Sequence, residues 1–208
     1  MSVARWCMVP VWMMAAVVQA AEPASKPVLH PGSWFELQSV DAYSGKEISH
    51  QREVFSGYRG LDYRFQVEDS TGRRYDMLRD GDYNLRLLDK KTGTVFSLDI
   101  FHWPLSSGQS HHLSYQLAGI PYEQDVTVGE SETVTVPAGS FVAYPIRITG
   151  RWHHDGYSGP LAETDWYAPA IGHVVKQEYT DFSNKKNYRG NWVITQLQAY
   201  RLAGSAAP

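Results

Sequence analysis

Cysteine is nearly absent from this chain of 208 residues, and the single Cys7 lies near its start. A disulfide needs two cysteines, so the sequence excludes an intrachain disulfide and a multi-thiolate metal site. Lipid attachment would need a cysteine just after an apolar run, and Cys7 precedes most of that run. The fold must therefore be held by its core, and the aromatic content of 13% provides apolar surface for one.

An excess of positive charge is also lacking. Lysine and arginine total 19 against 22 acidic residues, so the net charge is −3. The net charge becomes −4 if an N-terminal segment that carries Arg5 is removed as a signal peptide. Nucleic-acid binding usually shows as a basic stripe, which this composition does not favour. No nucleic-acid partner is predicted.

Only one long apolar run is present, Met8–Val18, and it is shorter than the roughly 20 residues of a membrane-spanning helix. The small residues of Val18-Gln19-Ala20 are typical of a cleavage site. Residues 1–20 are therefore predicted to be a secretory signal peptide, with a retained membrane anchor as the alternative. The mature protein would be periplasmic, not lipidated and without a membrane span.

The rest of the chain fits one domain. The Pro-rich segment 21–30 is predicted to be a flexible leader, residues 31–203 a single β domain, and residues 204–208 a flexible tail.

Helical periodicity is missing, whereas alternation with a period of two is frequent. Leu61, Tyr63, Phe65 and Val67 alternate with polar residues, which indicates a strand with one buried face. We predict an all-β fold: a curved antiparallel sheet of about ten strands, hairpin-connected, forming an open or half-barrel.

Two tight hairpins are predicted from turn chemistry. Asp80-Gly81 suits a type I′ turn. Pro137-Ala138-Gly139 suits a three-residue hairpin with a bulge, closed by Gly139 in the left-handed conformation with positive φ. A third hairpin joins residues 162–167 to residues 173–179. Because neighbours on a strand face opposite sides, we expect Trp166 on the core or concave face and Tyr167 on the other.

Aromatic residues are plentiful, with 7 Trp and 13 Tyr. A curved sheet could use them to line its concave face for an apolar or lipid-like ligand, although filling the core is the more common role of aromatic residues. The candidate ligand-lining residues are Trp34, Trp103, Trp152, Trp166, Tyr167 and Trp192.

Several segments together resemble a family of secreted, periplasmic bacterial proteins that carry a domain of unknown function. They are Pro31-Gly32-Ser33-Trp34, Phe101–Leu105 followed by Gly108, VPAGSF at 136–141 and WYAPAIGHVVK at 166–176. The resemblance implies a fold similar to periplasmic lipoprotein carriers and brings no catalytic residue. The chain departs from the pattern at Ala170, where glycine is usual, and at His102-Trp103.

Catalytic and cofactor motifs are scarce. No G-x-S-x-G elbow and no phosphate-binding glycine loop occurs. The pairs His111-His112 and His153-His154 cannot each chelate one ion from an extended strand, so no metal site and no cofactor are predicted. The acidic residues Glu130, Glu132, Glu163 and Asp165 could form a catalytic carboxyl pair only if they faced one cleft, which the sequence does not establish.

Three functions follow from these observations. The first is a periplasmic binding or carrier module, not an enzyme, with an aromatic-lined concave sheet. The second is a structural or interaction module of an envelope assembly that binds a protein partner through a sheet edge or loops. The third is an unrecognised hydrolase.

Overall fold

The computed structural model describes residues 22–204, and the predicted signal peptide lies outside this range. The described chain consists of strands and connecting loops. The strands are β1 (Trp34–Asp41), β2 (Glu47–Arg59), β3 (Asp62–Asp69), β4 (Arg74–Arg79), β5 (Arg86–Leu88), β6 (Val95–Ser97), β7 (Ser110–Leu117), β8 (Ile120–Val128), β9 (Glu132–Val136), β10 (Gly139–His154), β11 (Tyr157–Ala168), β12 (His173–Asp181) and β13 (Asn191–Arg201). Among residues 22–204 there is no helix of a length and apolarity that would cross a membrane.

One large antiparallel sheet contains most of the strands, in the order β4-β3-β2-β1-β13-β12-β11-β10-β8-β7, with β9 paired to the first part of β10. Consecutive strands are neighbours except at the centre, where β1 pairs with β13, and where β10 pairs with β8 because β9 lies off the main order. The predicted all-β fold with an antiparallel sheet of about ten strands is confirmed, and the sheet does not close into a barrel.

The sheet is strongly curved. Glu53 on β2 and His173 on β12 are separated by three strand spacings, about 14 Å along a flat sheet. Their side chains nevertheless meet at 3.2 Å. The rings of Phe65 on β3 and His173 are likewise only 6.4 Å apart. The two sides of the sheet therefore fold towards each other and enclose a concave face.

A long connection covers part of this concave face. Residues 80–109 contain the separate two-stranded sheet β5-β6 and contribute the buried side chains Tyr83, Phe101 and Leu105. The amide of Asn84 ties this connection together, because its Oδ1 accepts hydrogen bonds from the backbone of Ile100 (2.8 Å) and Phe101 (2.7 Å).

The Pro-rich segment at the start of the described chain lies against the same end of the sheet. Ala24 exchanges two backbone hydrogen bonds of 2.9 Å with Leu105. The Tyr63 hydroxyl donates to the carbonyl of Pro27 at 2.8 Å, and Leu29 is buried. Composition predicted a flexible leader for residues 21–30, whereas contacts with the domain hold this part of it in place.

The predicted turn at Asp80-Gly81 is wrong in type. The residue with positive φ is Tyr83 rather than Gly81. Asp80 Oδ1 accepts the backbone N–H groups of Asp82 and Asn84, each at 2.9 Å, which opens a wider turn. Beyond it β5 leaves the large sheet, and only an isolated bridge from Arg79 to Leu85 continues the pairing.

The hairpin at Pro137-Ala138-Gly139 forms and Gly139 has the predicted positive φ, but its turn contains two residues, Pro137 and Ala138, instead of the predicted three. Val136 pairs with Gly139 across the turn, and Gly139 has a φ of 132°. The hairpin reaches across neighbouring strands, because the N–H of Ala138 donates to the carbonyl of Leu197 on β13 at 3.1 Å. It therefore adds a small second layer to the sheet.

Candidate functional site

The concave face divides into two halves of different chemistry. One half, against the long connection, contains fully buried apolar side chains, including Phe35, Phe55, Phe65, Tyr167 and Leu197. Further along the same strands the side chains are polar or aromatic and mostly half-buried. We call this set the polar half; it comprises Ser39, Gln51, Tyr115, Tyr122, Trp152, Glu163, Asp165, Gln177, Tyr179 and Thr195. Arg79 instead pairs with Tyr63 at the end of the apolar half.

Strand β11 supplies two acids to the polar half. Asp165 is 6% exposed and Tyr167 is completely buried, so this alternate set points to the concave face. Trp166 lies on the opposite face. The predicted orientation of Trp166 and Tyr167 is therefore reversed. The reason is the packing of Tyr167 against the Phe101 and Trp103 rings of the long connection, at centroid distances of 5.8 and 5.2 Å.

Glu163 and Asp165 form a buried carboxyl pair, since residues two apart on a strand share a face. Gln177 on β12 donates from Nε2 to Glu163 Oε1 at 2.7 Å. Burial and the adjacent Asp165 carboxyl raise the pKa of Glu163 well above its usual range. Burial also raises the pKa of Asp165 to about 6, against the opposing effects of Gln177 and Arg79. Such a pair holds a proton at a pH where isolated carboxyls have lost theirs.

A second buried charge group lies between the two halves. Glu53 and His173 have side chains only 3% exposed, and His173 also stacks on Phe35 with centroids 4.0 Å apart. Burial acts to raise the pKa of Glu53, but His173, Arg79 and the Gln51 amide outweigh it and hold that pKa below its usual value. Glu53 is therefore an ionised, paired carboxylate, in contrast to the acids of β11.

Tyrosine side chains lie on the same face, and Tyr179 is the direct strand partner of Glu163. Tyr115 and Tyr122 stack almost parallel with centroids 4.8 Å apart. After burial, which is the main cause, the charge of Glu163 contributes to raising the pKa of both Tyr115 and Tyr179. These groups consequently occupy one region of the concave face.

Four buried side-chain polar atoms in the described chain have no hydrogen-bond partner within it. They are Arg79 Nε, Tyr83 Oη, Trp152 Nε1 and Asp165 Oδ1. Trp152 and Asp165 belong to the polar half. Arg79 pairs with Tyr63 of the apolar half, and its guanidinium carbon lies 4.7 Å from the centroid of the Tyr83 ring. An unmade hydrogen bond on a buried group is costly, so each of these atoms calls for an explanation. They lie at separate points of the face, because Trp152 is about 20 Å along β10 from Ile146, the partner of Asp165.

The structure brings only some of the predicted lining residues to the concave side. Trp152 belongs to the polar half. Trp103 and Tyr167 belong to the packed apolar half, where Trp103 stacks on Phe101 with centroids 5.5 Å apart and donates from Nε1 to the carbonyl of Asp82 at 2.7 Å.

The other three predicted residues lie elsewhere. Trp34 is covered by the Arg52 guanidinium at 4.0 Å. Trp166 donates to Glu132 at 2.6 Å, and Trp192 is 36% exposed and donates to Glu178 at 2.9 Å. By strand alternation these side chains are on the convex face, so the six aromatic residues do not line one cleft.

The histidine pairs remain apart from this region. His112 lies on the exposed face of β7, where its two ring nitrogens contact Asp125 at 2.9 Å and Glu123 at 2.8 Å. His111 instead contacts the carbonyl of Asp99 at 2.8 Å. Within residues 22–204 no group of three or more His, Cys, Asp or Glu side chains is arranged to hold a metal ion.

The sequence contained a signal for the acid pair that composition did not reveal. Glu163 and Asp165 alternate along β11 in register with buried Leu161 and Tyr167. A strand face that begins and ends with large apolar residues is a core face, and acids in its middle are therefore buried. Arg79 had no such signal, because its position depends on the curvature that brings β4 towards β11.

Comparison with solved structures gives two matches. A protein of Bacteroides fragilis, described as a candidate exported protein with a YmcC-like fold, has a TM-score of 0.53 and 16% identity, covering 86% of this chain and 99% of its own. A candidate lipoprotein of Parabacteroides distasonis has a TM-score of 0.49 and 13% identity, covering 87% and 100%. At this identity the first match shows similarity of fold alone.

Sequence comparison adds no family. No protein-family model matches the chain, and no curated protein matches it. The resemblance based on the VPAGSF and WYAPAIGHVVK segments therefore stays a prediction. The structure adds one observation about these segments: Glu132, four residues before VPAGSF begins, contacts Trp166 of the second segment.

Proposed function

We propose that this protein is an extracytoplasmic binding module that takes a small polar ligand against the polar half of its concave sheet. The observation that carries the proposal is the set of unpartnered buried atoms. Asp165 Oδ1 is an acceptor and Arg79 Nε a donor, and the charge of Arg79 acts on Asp165. Trp152 Nε1 is a further donor, six residues along β10 from Ile146, the partner of Asp165. A ligand with both donors and acceptors would satisfy them. Ordinary binding pockets likewise orient their ligand with a small number of polar groups.

A polar ligand fits this surface better than a lipid-like chain. An acyl chain needs an apolar groove, and the apolar half of the concave face is already occupied by its own side chains. Phe35, Phe65 and Tyr167 are each 0% exposed. Placing an acyl chain in the polar half would instead bury the Glu163 and Asp165 carboxyls against hydrocarbon, which is costly for polar groups without partners.

The extracytoplasmic location rests on two supports. The first is the signal-peptide pattern of residues 1–20. The second is the fold similarity to the Bacteroides fragilis protein, which is itself described as a candidate exported protein.

Native mass spectrometry of protein purified from its own cells tests the binding function. A co-purifying small molecule should be retained by the wild type and by Trp192→Phe, which changes an aromatic residue of the convex face. It should be lost from Trp152→Phe, which keeps the ring but removes the unpartnered N–H, and from Asp165→Asn. Equal retention by all four proteins would place the ligand elsewhere.

A hydrolase is the second candidate, and the buried Glu163–Asp165 pair is the observation that favours it. Two carboxyls that share a proton can act as general acid and general base. If the bound molecule were a substrate, native mass spectrometry of Glu163→Gln would show it intact while the wild type carried or released its fragments. Identical adducts in both proteins would favour simple binding.

A further inference from the structure

We propose that the groove between strands β6 and β7 binds an extended, basic segment of a partner protein as an additional β-strand. The segment would join the outer edge of the large sheet to the outer edge of the β5-β6 sheet through main-chain hydrogen bonds on both sides. This interaction does not depend on the small ligand proposed for the polar half.

The β7 wall of the groove is an unpaired strand edge, because β7 is the last strand of the large sheet. Leu117 and Ile120 close a two-residue turn as a hydrogen-bonded pair, and such pairs alternate along the ladder with β8. The backbone N–H and C=O groups of His112, Ser114 and Gln116 therefore point away from β8 and into the groove.

The β6 wall presents the same kind of groups, because β6 is paired only with β5. The N–H of Leu98 donates to the carbonyl of Leu85 at 2.9 Å, just beyond the paired residues of the small sheet. Alternation then turns the backbone groups of Ser97 and Val95 away from β5. Two rows of main-chain donors and acceptors thus face each other without being paired.

Side chains, and not backbone groups, join the two walls at their ends. His111 spans one end, where its Nε2 donates to the carbonyl of Asp99 at 2.8 Å. At the other end the Lys91 side chain lies against Gly119 in the turn between β7 and β8. Between these ends is a groove with a volume of about 610 Å³, which includes Ser97 and Ser114 in its walls.

The floor of the groove is apolar and faces the concave side. It is formed by Phe96, Leu113 and Tyr115, and the rings of Phe96 and Tyr115 lie 5.9 Å apart. Side chains of a bound strand alternate between two faces, so every second side chain would contact this floor. An apolar residue such as valine suits these positions.

Exposed carboxylates dominate the solvent side of the groove. The Glu123 and Asp125 side chains are 57% and 75% exposed and share the single His112. Asp99, 56% exposed, contacts His102 at one end. Three carboxylates against two histidines favour lysine or arginine at the outward positions of the bound strand.

The β7 edge also lacks the features that usually protect an exposed strand. Its register with β8 contains no bulge, and residues 110–117 include neither lysine nor proline. The edge of β4 at the other end of the sheet differs, since it carries the charged Arg74 and Asp76 and is bridged by Leu85 at Arg79. The β7 edge is therefore the one suited to strand addition.

Fluorescence anisotropy with labelled synthetic peptides tests the inference. The peptide TKVKVKT puts lysines on one face of a strand and valines on the other. We expect it to bind at least about tenfold more tightly than TEVEVET, whose charges repel the carboxylates. It should exceed by a similar factor the same lysine peptide with backbone N-methyl groups on its lysines, which keeps every charge but removes the donors to one wall.

Two variants at one position locate the binding on β7. Ser114→Pro removes one groove-facing N–H and should weaken TKVKVKT binding at least about tenfold, whereas Ser114→Ala keeps that N–H and should bind as wild type does. If circular dichroism shows Ser114→Pro to be unfolded, the N-methylated peptide decides the question alone.

Three results would overturn the inference. They are equal binding of all three peptides, no binding of TKVKVKT at millimolar concentration, and equal binding by folded Ser114→Pro and Ser114→Ala. Sedimentation velocity tests a different occupant: a wild-type dimer that Ser114→Pro abolishes would assign the edge to a second copy of this chain and overturn the partner segment.

Discussion

Trp166 donates its indole N–H to the Glu132 carboxylate at 2.6 Å, and this bond joins two segments that are far apart in the chain. Lys176 lies on the same indole, 4.4 Å from its centroid. The β9–β10 hairpin is thereby fixed across β11 and β12 on the convex face. Trp166 consequently holds the β9–β10 hairpin against the sheet and does not line a ligand site.

Trp166→Ala should therefore destabilise the protein without altering ligand retention. We expect a loss of about 2 kcal/mol in the free energy of unfolding, below the range for fully buried tryptophan because the ring is only half-buried. Urea denaturation followed by circular dichroism measures it. Trp166→Phe should recover most of the packing. Loss of the co-purifying ligand from a folded Trp166→Ala protein would contradict this assignment.

The buried Glu53–His173 pair should be far more important for stability than an exposed pair of the same residue types. Glu53→Gln leaves His173 without its charged partner in a dry environment, which should cost about 3 kcal/mol. The matched control is Glu36→Gln, because Glu36 contacts His50 at 2.8 Å on a half-exposed surface and should lose less than about 1 kcal/mol. Equal losses in the two variants would show that burial does not decide the effect.

The Glu53 carboxylate should also contribute to acid unfolding. Its pKa in the folded protein is lowered from the ordinary value of 4.5. A lowered pKa stabilises the fold at pH values above the unfolded pKa, and this stabilisation is lost as the pH falls towards the folded pKa. Glu53→Gln should therefore flatten the fall in stability below the ordinary carboxyl pKa, as measured by urea midpoints across a pH series.

The buried acid Asp165 of β11 should change the stability with pH in the opposite direction to Glu53. The pKa of Asp165 is raised to about 6 in the fold, so the folded protein binds more protons than the unfolded chain above the ordinary carboxyl pKa of 3.8. Stability should therefore decrease as the pH rises towards and past 6. Asp165→Asn should gain about 2 kcal/mol relative to wild type at mildly alkaline pH and little in acid. Parallel pH profiles for the two proteins would exclude a raised pKa.

Gly139 should resist substitution because of its backbone conformation. Its φ is 132°, and a β-carbon added there would meet Phe141 only at 3.9 Å, so space is not limiting. Gly139→Val should nevertheless cost more than about 1 kcal/mol, because branched residues avoid this region. Ser140→Val, at the next and exposed strand position, is the control and should change stability little. A wild-type melting temperature for Gly139→Val would rule out the assigned turn.

The sequence predicted the strands well and the site less well, for identifiable reasons. Alternation of polar and apolar residues is local, so Tyr63, Phe65 and Val67 marked β3 correctly. The turn at Asp80 failed because the Asp80 side chain competes for the backbone N–H groups of Asp82 and Asn84. Trp166 and Tyr167 were assigned to the wrong faces, since either ring can fill a core and the choice depended on Phe101 and Trp103 of a distant connection.

The acid pair illustrates the same limit. Spacing alone put Glu163 and Asp165 on one side of a strand. The flanking Leu161 and Tyr167 mark that side as the core face, but which residues of other strands approach it depended on the curvature of the whole sheet. Sequence reasoning could name the acids as a conceivable pair but had no means of bringing the other strands to them.

The seam between β1 and β13 has a consequence for the order of folding. Trp34 pairs with Arg201, so the centre of the sheet is made from the two ends of the domain. Contacts so distant along the chain form slowly, because a long loop must close before they add any stability. As the chain emerges from a ribosome or a translocation pore, β2 to β12 can pair with their neighbours, but the two flanks cannot be united until the last strand is free. The domain therefore becomes one cooperative unit only after its last strand, β13, has emerged.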